Sequence, residues 1–490
     1  SRVANGFGTT HRTALSGFGR RFRTCHYNLH RRNDVRASRL LFLLLVLTAS
    51  ADAAQFCAQD GSQLQQALDV AAGNDQDDDI RITSGTKTFA VPVSFPHIWG
   101  YQITTTAEED NDLVISGGWN ANCTTMTPGA QHTVLDGQNQ DAVVLIVSRH
   151  SAYFVDPKAS YTIRNLTVTR AGGGKNGIRS LISTTSSTAE FVLDRVQVRG
   201  GTSTVYLYGG RIDVSHLLAT GVTGGNDIVE LTPSRGGSRI VYSSVYDNLL
   251  DPINNNYCTL RLTGVKIIAN NLAFGNQTTD GQPKTDACLF ADNIENVPQT
   301  DNNHFRAANI NFLYTIDMHE LTNGVPQVEA VTIAGYAVKQ PQFGQTQDSG
   351  LILAANPSVD VFGRARVVHG IPDRGAIEST YCQSPTMPSI QDLTIDAFGS
   401  NGQFHPVGTE VGAVGATLWH ASGFNITAGN TVANVFSIGS DGVLRVANPA
   451  ALGQQAQYLL SVGATDVCGT TSGTVRVSVT MDAVFESSFE

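Results

Sequence analysis

The residues best suited by type and spacing to do chemistry in this 490-residue chain lie between positions 235 and 266. Asp247 and Asp251 form the best local pair of acids, with Arg235, Arg239 and Lys266 as candidate cations. Such a set could supply a general acid and base at a glycosidic bond, or hold calcium while a base removes a proton. The two acids flank Asn-Leu-Leu, however, which is typical of a turn. We therefore interpret them as turn residues and keep the five as weak catalytic candidates.

The elements that must position these residues are copies of a strand-sized phrase that recurs through residues 160–276. Its aliphatic anchors lie 30, 21, 28 and 27 residues apart, and they are Leu166, Val196, Leu217, Val245 and Leu272. A period of this length indicates a solenoid, and β-branched alternation with intervening glycine favours strands. Asparagines at strand ends, such as Asn165, Asn271 and Asn276, are expected to adopt left-handed turns and to stack their amides.

The first 53 residues have the three parts of a secretory signal. A basic flank precedes the apolar run 40–47, and a small-residue cleavage site follows at residues 51–53. The run is too short to span a bilayer, which takes about 20 residues, and no later stretch is predicted to cross a membrane. The sequence therefore predicts a secreted protein, extracellular or on the outer cell surface.

The charge of the chain argues against one class of partner. The net charge is −10, and removal of the nine Arg and two Asp in residues 1–53 leaves −17. An acidic exported protein is a poor candidate for nucleic-acid binding. It would meet a polyanion such as pectate only through bridging calcium.

Six cysteines follow the predicted leader, and an even number in an oxidising compartment suggests three disulfides. Many connectivities are open to six cysteines. We favour the pairing that keeps each bridge inside one structural unit, which is Cys57–Cys123, Cys258–Cys288 and Cys382–Cys468. Metal binding is the alternative, although the sequence has no close Cys-x-x-Cys and no His cluster.

One helix is predicted, over residues 61–72, with Ser62 as N-cap and Gly73 as stop. Its apolar residues at helical spacing are Leu64, Ala67, Leu68 and Ala71. An amphipathic helix at this point would cover the exposed hydrophobic end of a strand solenoid and block edge-to-edge growth.

Several motifs resemble a known family. LVISGGWNANC at 113–123 and TVLDG at 133–137 resemble the opening of secreted bacterial right-handed parallel β-helix proteins of the pectin-lyase-like superfold. DSG at 348–350, NPSVDVFGRARV at 356–367 and PDRGAIE at 372–378 resemble the closing signature of the choice-of-anchor Q domain. The resemblance covers roughly residues 57–380 and implies a β-helix that closes near residues 373–378.

The enzymes of that superfold use residue sets that this sequence lacks. The hydrolase motifs Asn-Thr-Asp and Gly-His-Gly and the lyase motif Arg-x-Pro-x-x-Arg do not occur in it. An enzyme acting on this solenoid should gather acids with Arg or Lys on one lateral face. A binding protein should instead show ladders of aromatic and Asn side chains.

A second domain is expected after a proline-containing linker, residues 381–388. Residues 389–480 show short alternating strands at sandwich spacing. VGTEVGAVGA at 407–416, FSIGSDGVLRVANPAAL at 436–452 and YLLSVGATDVCGTTSGTVRVSVT at 458–480 resemble a cadherin-like repeat. The resemblance maps calcium ligands onto Glu410 and Asp466 alone, because the family's paired-acid motif and Asp-rich linker are missing. A sandwich without calcium is favoured, and calcium is the one cofactor left open.

The sequence thus predicts an all-β chain with a leader (1–53), a right-handed parallel β-helix (54–380), the linker (381–388), a cadherin-like sandwich (389–480) and a tail (481–490). The tail resembles the acidic, aromatic tails ending in Gly-Phe-Glu on exported proteins of some Gram-negative bacteria, with Ser488 in place of the glycine. We expect a non-catalytic protein of glycan binding or adhesion whose partner is an extracellular polysaccharide or cell-surface ligand. The alternative is a polysaccharide lyase or glycoside hydrolase of the same superfold.

Overall fold

The computed structural model describes most of the chain after the predicted leader. The described residues are 53–89, 97–103, 111–140, 143–149, 159–172, 176–181, 189–224, 227–251, 258–283, 285–290, 299–305, 308–311, 318–319, 326, 328–341, 347, 349–353, 358–382, 384–399, 403–418, 423–430 and 434–481. Residues 1–52 of the predicted leader and 482–490 of the predicted tail lie outside them. Within the described residues, no helix is long and apolar enough to cross a membrane.

The residues from Ala53 onward form one compact unit made mainly of strands. Its first part contains the helix α1 (Gly61–Ala71) and the strands β1 (Ala54–Ala58), β2 (Asp78–Thr83), β3 (Gly85–Lys87), β4 (His97–Ile103), β5 (Leu113–Trp119), β6 (Thr133–Gln140), β7 (Val143–Arg149), β8 (Ser160–Ala171), β9 (Asn176–Leu181), β10 (Glu190–Gly201), β11 (Thr204–Tyr208), β12 (Arg211–Thr220), β13 (Val229–Thr232), β14 (Arg239–Val241), β15 (Ser244–Tyr246), β16 (Leu249–Leu250), β17 (Leu260–Thr263), β18 (Ile267–Ala269), β19 (Leu272–Phe274), β20 (Gln277–Thr278), β21 (Ala287–Phe290), β22 (Gln299–Asp301), β23 (His304–Phe305), β24 (Ala308–Asn311), β25 (Met318–His319), β26 (Val328–Ile333) and β27 (Tyr336–Pro341). A short 3-10 helix spans Ala130–His132.

The strands of this first part form long parallel sheets that the chain visits in turn. Strands β8, β10 and β12 are neighbours in one sheet, and β9, β11 and β13 are neighbours in the other. The first face includes β2, β5, the first halves of β8, β10 and β12, and then β14 and β18. The third face includes β3, β6, the second halves of β8, β10 and β12, and then β15, β19 and β23. The eight-stranded sheet β4-β7-β9-β11-β13-β17-β21-β24 is the second face. The arrangement is compatible with a β-helix.

One left-handed residue in each of six coils makes the corner between the first and third faces. The residues in register at this corner, all with positive φ, are Asn165, Arg195, His216, Tyr242, Asn270 and Asn302. The left-handed conformation predicted for Asn165 is confirmed, with φ at 63°. The same prediction is wrong for Asn271 and Asn276, which are buried and not left-handed.

The amide stacking predicted for these two asparagines is confirmed, and it takes place inside the coils. Asn271 Nδ2 donates to Asn303 Oδ1 at 2.9 Å, and Asn248 Nδ2 donates to Asn276 Oδ1 at 2.9 Å. All four side chains are fully buried. A buried amide has to find its hydrogen bonds within the protein, and the equivalent amide one coil away supplies them.

The register of the parallel strands shows which of the five anchors share a row. The first three anchors pair with one another in β8, β10 and β12. Val245 and Leu272 lie in other rows, because Val245 pairs with Ala219 and Leu272 pairs with Ser244. The row of the first three anchors continues instead into Ser243, whose Oγ accepts from Leu217 N at 3.3 Å. Polar residues thus occupy inward positions that the pattern of aliphatic residues does not reveal.

Helix α1 forms where it is predicted and buries its apolar face in the same core as the first strands. The predicted N-cap is wrong. Asp60, not Ser62, caps the helix, and its carboxylate accepts from Gln63 N at 2.9 Å. The extended backbone of Asp60 lets its side chain reach the third amide of the helix, which is the usual capping geometry.

The segment that carries most of the closing signature packs against the third face. Residues 358–379, hereafter the strap, run along the third face. Gly375 N donates to Asn270 O at 2.7 Å, and Ala376 N donates to Ser244 Oγ at 2.9 Å. At the other end of the strap, Val361 O accepts from Ala130 N at 2.8 Å. The strap thus lies along the third face, and closure of the β-helix near residues 373–378 stays a prediction.

The reason for this placement is the apolar surface of the third face. The strap and the hairpin β26–β27 share one buried cluster with that face, made of Ala130, Leu218, Tyr246, Leu272, Phe274, Val338, Val361, Phe362, Ala376 and Ile377. Burying this cluster removes apolar area from water, which is favourable at about 25 cal/mol per Å². A family signature identifies the strap but not the surface that it covers.

The second part has its own core and two small sheets. Its strands are β28 (Ile390–Asp396), β29 (Glu410–Ala413), β30 (Gly423–Ala428), β31 (Phe436–Ile438), β32 (Val443–Val446), β33 (Gln457–Asp466) and β34 (Gly469–Thr480), with the short helix α2 (Pro449–Leu452). The sheets are β28-β34-β33-β30 and β29-β32-β31. Their buried residues form a hydrophobic cluster separate from that of the solenoid.

Three disulfides are present: Cys57–Cys123, Cys258–Cys288 and Cys382–Cys468. The first ties β1 to the turn after β5, the second ties neighbouring coils, and the third ties the predicted linker to the turn between β33 and β34. His369 lies near the third disulfide. Because both sulfurs there are bonded to each other, this group is not a free set of metal ligands.

Candidate functional site

Asp247, the first of the predicted acids, lies in a turn and has a cationic partner. Its φ is 53°, a left-handed conformation that Asp tolerates better than most residues. Its carboxylate forms an ion pair with Lys339 Nζ at 2.7 Å. Lys339 belongs to β27, which covers the third face, and its Nζ lies 5.6 Å from the centre of the Phe274 ring. The pair thus helps hold the hairpin in place.

The other predicted catalytic candidates lie elsewhere. Arg239 is on the first face, where its Nε donates to both carboxylate oxygens of Asp213 at 2.7 and 2.8 Å. Asp251 is exposed directly after β16, and Arg235 is exposed in the turn after β13. Lys266 precedes β18, and its backbone N donates to Ser238 O. The structure therefore does not assemble these residues around Asp247.

The first face carries acids and arginines that neutralise one another. Arg211 lies 3.6 Å from Glu190 and 3.8 Å from Asp213, and Asp213 also binds Arg239. Charges on neighbouring strands of a sheet interact in this way and contribute modestly to its stability. These acids are engaged in ion pairs that any substrate would have to displace.

The second face presents a different set of side chains. Arg179, Tyr206, Glu230 and Arg261, hereafter the Tyr206 row, pair in register on β9, β11, β13 and β17. All four are partly exposed, whereas their sequence neighbours Val205, Leu207, Val229, Leu231, Leu260 and Leu262 are buried in the core. Neighbouring strands lie about 4.8 Å apart, so the row extends about 14 Å across the sheet. It is a linear array directed away from the core.

Aromatic rings flank the cations of this row. Arg179 Cζ lies 5.6 Å from the centre of the Tyr206 ring, and Arg261 Cζ lies 5.3 Å from the centre of the Phe290 ring. Tyr208 projects from β11 on the same side as Tyr206 because side chains two residues apart share a face of a strand. Cation–π contacts of this kind fix the planes of the guanidinium groups.

Electrostatics on the second face depend on Glu230 and its neighbours. Burial raises the pKa of Glu230, and the nearby guanidinium of Arg261, with Nε 4.0 Å from Oε1, partly offsets that rise. Burial also raises the pKa of Tyr206, and the charge of Glu230 adds to the effect. Arg179 Nε is buried and has no hydrogen-bond partner among the described groups. The row therefore contains an acid that holds its proton more tightly than usual.

The Tyr206 row was not predicted, although the sequence contains a signal for it. Its members are 27, 24 and 31 residues apart, similar to the spacing of the predicted repeat, and Tyr206, Glu230 and Arg261 each lie between two apolar residues on their strands. The signal lies on the second strand of each coil, whereas the recurring phrase lies on the first and third faces.

The calcium candidates of the second part are occupied by other partners. Glu410 pairs with Arg445 at 3.2 Å, and Arg445 also binds Asp441 at 2.6 Å. Asp466 is 5% exposed and accepts from Cys468 N at 2.7 Å. An ion pair with arginine competes directly with cation binding at Glu410.

Comparisons with known proteins do not identify a family for this chain. No protein-family model matches the chain, and no curated protein matches it. Among solved structures, the extracellular cadherin domains 3–6 of protocadherin gamma B2 align with a TM-score of 0.16 and 16% identity. The alignment covers 20% of this chain and 22% of that chain. No inference about this chain is drawn from so weak a likeness.

Proposed function

We propose that this chain is a secreted or cell-surface protein that binds glycans without cleaving them, and that its first part is a right-handed parallel β-helix of the pectin-lyase-like superfold. Alternating parallel sheets with a repeat of a few tens of residues support that fold. Helix α1, whose buried face joins the core of the first coils, would cap the amino-terminal end. In this proposal the first part is of the choice-of-anchor Q type and the second is a cadherin-like spacer.

The Tyr206 row is the observation that carries the binding proposal. Tyrosine rings on an exposed sheet stack against the apolar faces of sugar rings, and guanidinium groups donate to hydroxyl or carboxylate oxygens. Arg179 and Arg261 stand at the two ends of the row, with Tyr206 and Tyr208 on the strand beside Arg179. A linear array of this kind suits an extended polymer that lies across the strands.

Glycan binding is favoured over hydrolysis because the row contains a single carboxylate. Hydrolysis at a glycosidic bond uses two carboxyl groups about 5–10 Å apart. The nearest acid in sequence, Asp227, has its side chain 4% exposed and accepts a hydrogen bond from Cys258 N at 2.9 Å. It is therefore held as part of the scaffold.

One observation favours the enzymatic alternative, a polysaccharide lyase or glycoside hydrolase. The raised pKa of Glu230 is the property that a general acid needs at neutral pH. Incubation of the full chain with a panel of polysaccharides, with and without calcium, tests this alternative through new reducing ends and unsaturated products. Turnover that Glu230→Gln abolishes would refute the non-catalytic proposal.

Binding is tested by affinity electrophoresis of the full chain in gels containing each polysaccharide of the panel. Tyr206→Ala should weaken binding by about tenfold, because it removes a stacking platform worth roughly 1–2 kcal/mol. The matched control is Thr232→Ala, a partly exposed residue of the neighbouring strand β13, which should leave binding unchanged. Equal affinity of Tyr206→Ala and the wild type for every retained polysaccharide would exclude the Tyr206 row as the site.

A further inference from the structure

The strap is attached to the corner of the solenoid through a stack of aromatic and charged side chains. The rings of His216 and Tyr242, on consecutive coils of the corner, lie 5.5 Å apart and are parallel within 4°. Arg366 of the strap places its Cζ 4.3 Å from the centre of the Tyr242 ring. Tyr242 is therefore shared between the body of the solenoid and the strap.

Arg366 is one of the charges that the strap buries against this corner, together with Arg374, which donates to Asn302. The side chain of Arg366 is 0% exposed, its Nη2 donates to Asp373 O at 2.6 Å, and its Nη1 lies 3.8 Å from Glu378. Glu378 in turn accepts from the backbone N of Val368 and of Asp373. The Nε and Nη1 of Arg366 have no hydrogen-bond partner among the described groups, so the buried cation depends on the charge of Glu378 and on the single hydrogen bond to Asp373 O. An additional positive charge nearby would upset that balance.

His216 is placed to supply this additional charge. It is fully buried, and its Nδ1 lies 3.4 Å from Asp194 Oδ1. Asp194 is already paired with Arg195 at 2.7 Å. The Nε2 of His216 has no hydrogen-bond partner among the described residues. A neutral imidazole fits this position, whereas a protonated one would add a further buried cation beside the strap, which already buries Arg366 and Arg374.

The charged groups around His216 come from both sides of the contact. From the body they are Asp194 and its partner Arg195, and from the strap they are Arg366, Asp360 and Glu378, the ion-pair partner of Arg366. Asp360 is bound by Arg364 and by three backbone N–H groups, so its charge is already satisfied. The acids that could stabilise an imidazolium are therefore already paired with other cations or already accept hydrogen bonds from backbone N–H groups.

We propose that protonation of His216 weakens the contact between strap and corner, so that acidification opens the strap and exposes the third face. The apolar residues uncovered would include Leu218 and Leu272, which share a cluster with Val361 and Ile377 of the strap. The device consists of one titratable ring of the body and one buried arginine of the strap, both of which contact the ring of Tyr242.

The direction of the pH dependence follows from the environment of the ring. Burial lowers the pKa of His216 from its ordinary 6.5, Arg366 lowers it further, and Asp194 partly offsets both. The closed form thus binds the proton more weakly than a form in which the ring is exposed to water. Closure is therefore most stable above pH 6.5, and it weakens as the pH falls below that value.

Hydrogen exchange of the full chain at pH values from about 7.5 to about 5 tests the proposal, with rates corrected for intrinsic exchange. Amides of the strap should lose protection by up to about tenfold per pH unit, the limit set by one linked proton. His216→Asn should remove this pH dependence, because Asn does not titrate and tolerates the left-handed backbone, with φ at 52°. The matched control is His304→Asn at a histidine that is 1% exposed, which should keep the dependence.

A second measurement needs no variant. Titration of the histidine ring signals in the wild-type protein should show one buried ring that titrates below pH 6.5, together with the loss of strap protection. Strap amides whose protection does not change with pH would overturn the proposal. So would a His216→Asn protein that folds and keeps the acid response.

Discussion

Asn276→Leu should destabilise the solenoid far more than its small change in volume suggests. Asn276 is fully buried, and its Oδ1 accepts from Asn248 N at 3.2 Å and from Asn248 Nδ2 at 2.9 Å. Its Nδ2 donates to Val245 O at 3.0 Å and to Asp286 Oδ1 at 3.2 Å. Leucine would leave these four buried polar groups of Asn248, Val245 and Asp286 with a lost bond, at about 1–3 kcal/mol each. Allowing for the apolar gain of leucine, we expect a loss of about 3 kcal/mol or more.

The assay is denaturant unfolding followed by circular dichroism, with unfolding rates as the readout if refolding is incomplete. The matched control is Gln277→Leu, the next residue along the chain, which is exposed and should change stability by less than about 0.5 kcal/mol. In a double-mutant cycle with Asn248→Leu, the combined loss of unfolding free energy should be smaller than the sum of the two single losses. The reason is that each single variant leaves the amide of the other residue without a partner, whereas the double variant contains neither amide. An Asn276→Leu protein as stable as the control would refute the reasoning.

Two further predictions concern stability. Replacing Cys258 and Cys288 by Ser should lower the free energy of unfolding by about 3–4 kcal/mol, the loop entropy of a 30-residue separation. Unfolding curves of the wild type and the variant, with and without reductant, check this loss. A reduced wild type as stable as the oxidised one would contradict it. Burial raises the pKa of Asp78 from 3.8 to about 6, so its favourable contribution is present at low pH and is lost as the pH rises through 6. Asp78→Asn should therefore stabilise the protein by about 1–2 kcal/mol at pH 7 and by almost nothing at pH 4, and equal gains at both pH values would contradict the assignment.

The parts of the fold that could be predicted from sequence are those set by local pattern. Alternation of inward and outward residues has a period of two, so the strands around Leu166, Val196 and Leu217 could be recognised one by one. Helix α1 could be recognised from its apolar spacing, although its cap could not, because Asp60 and Ser62 are both good capping residues.

The candidate site could not be predicted in the same way because it is formed between coils. Tyr206 and Glu230 meet only through the register of β11 and β13, and an error of one residue would turn either side chain to the other face. The acid pair proposed from sequence, Asp247 and Asp251, was chosen for proximity along the chain. In the structure Asp247 pairs with Lys339, which lies far away in the sequence.

The sequence by itself determined that this chain is mainly β, that its first part repeats, and that a second strand-rich part follows, because strand alternation and repeat spacing are local properties. Only the tertiary structure decided which residues share a row, where the strap lies and which charges are already paired. His216 illustrates the difference. In sequence it is an isolated histidine, whereas in the structure its ring lies against Tyr242, which also carries Arg366 of the strap. Contacts of this kind depend on the register between coils and on the position of the strap along the third face. Neither can be predicted from a local sequence pattern.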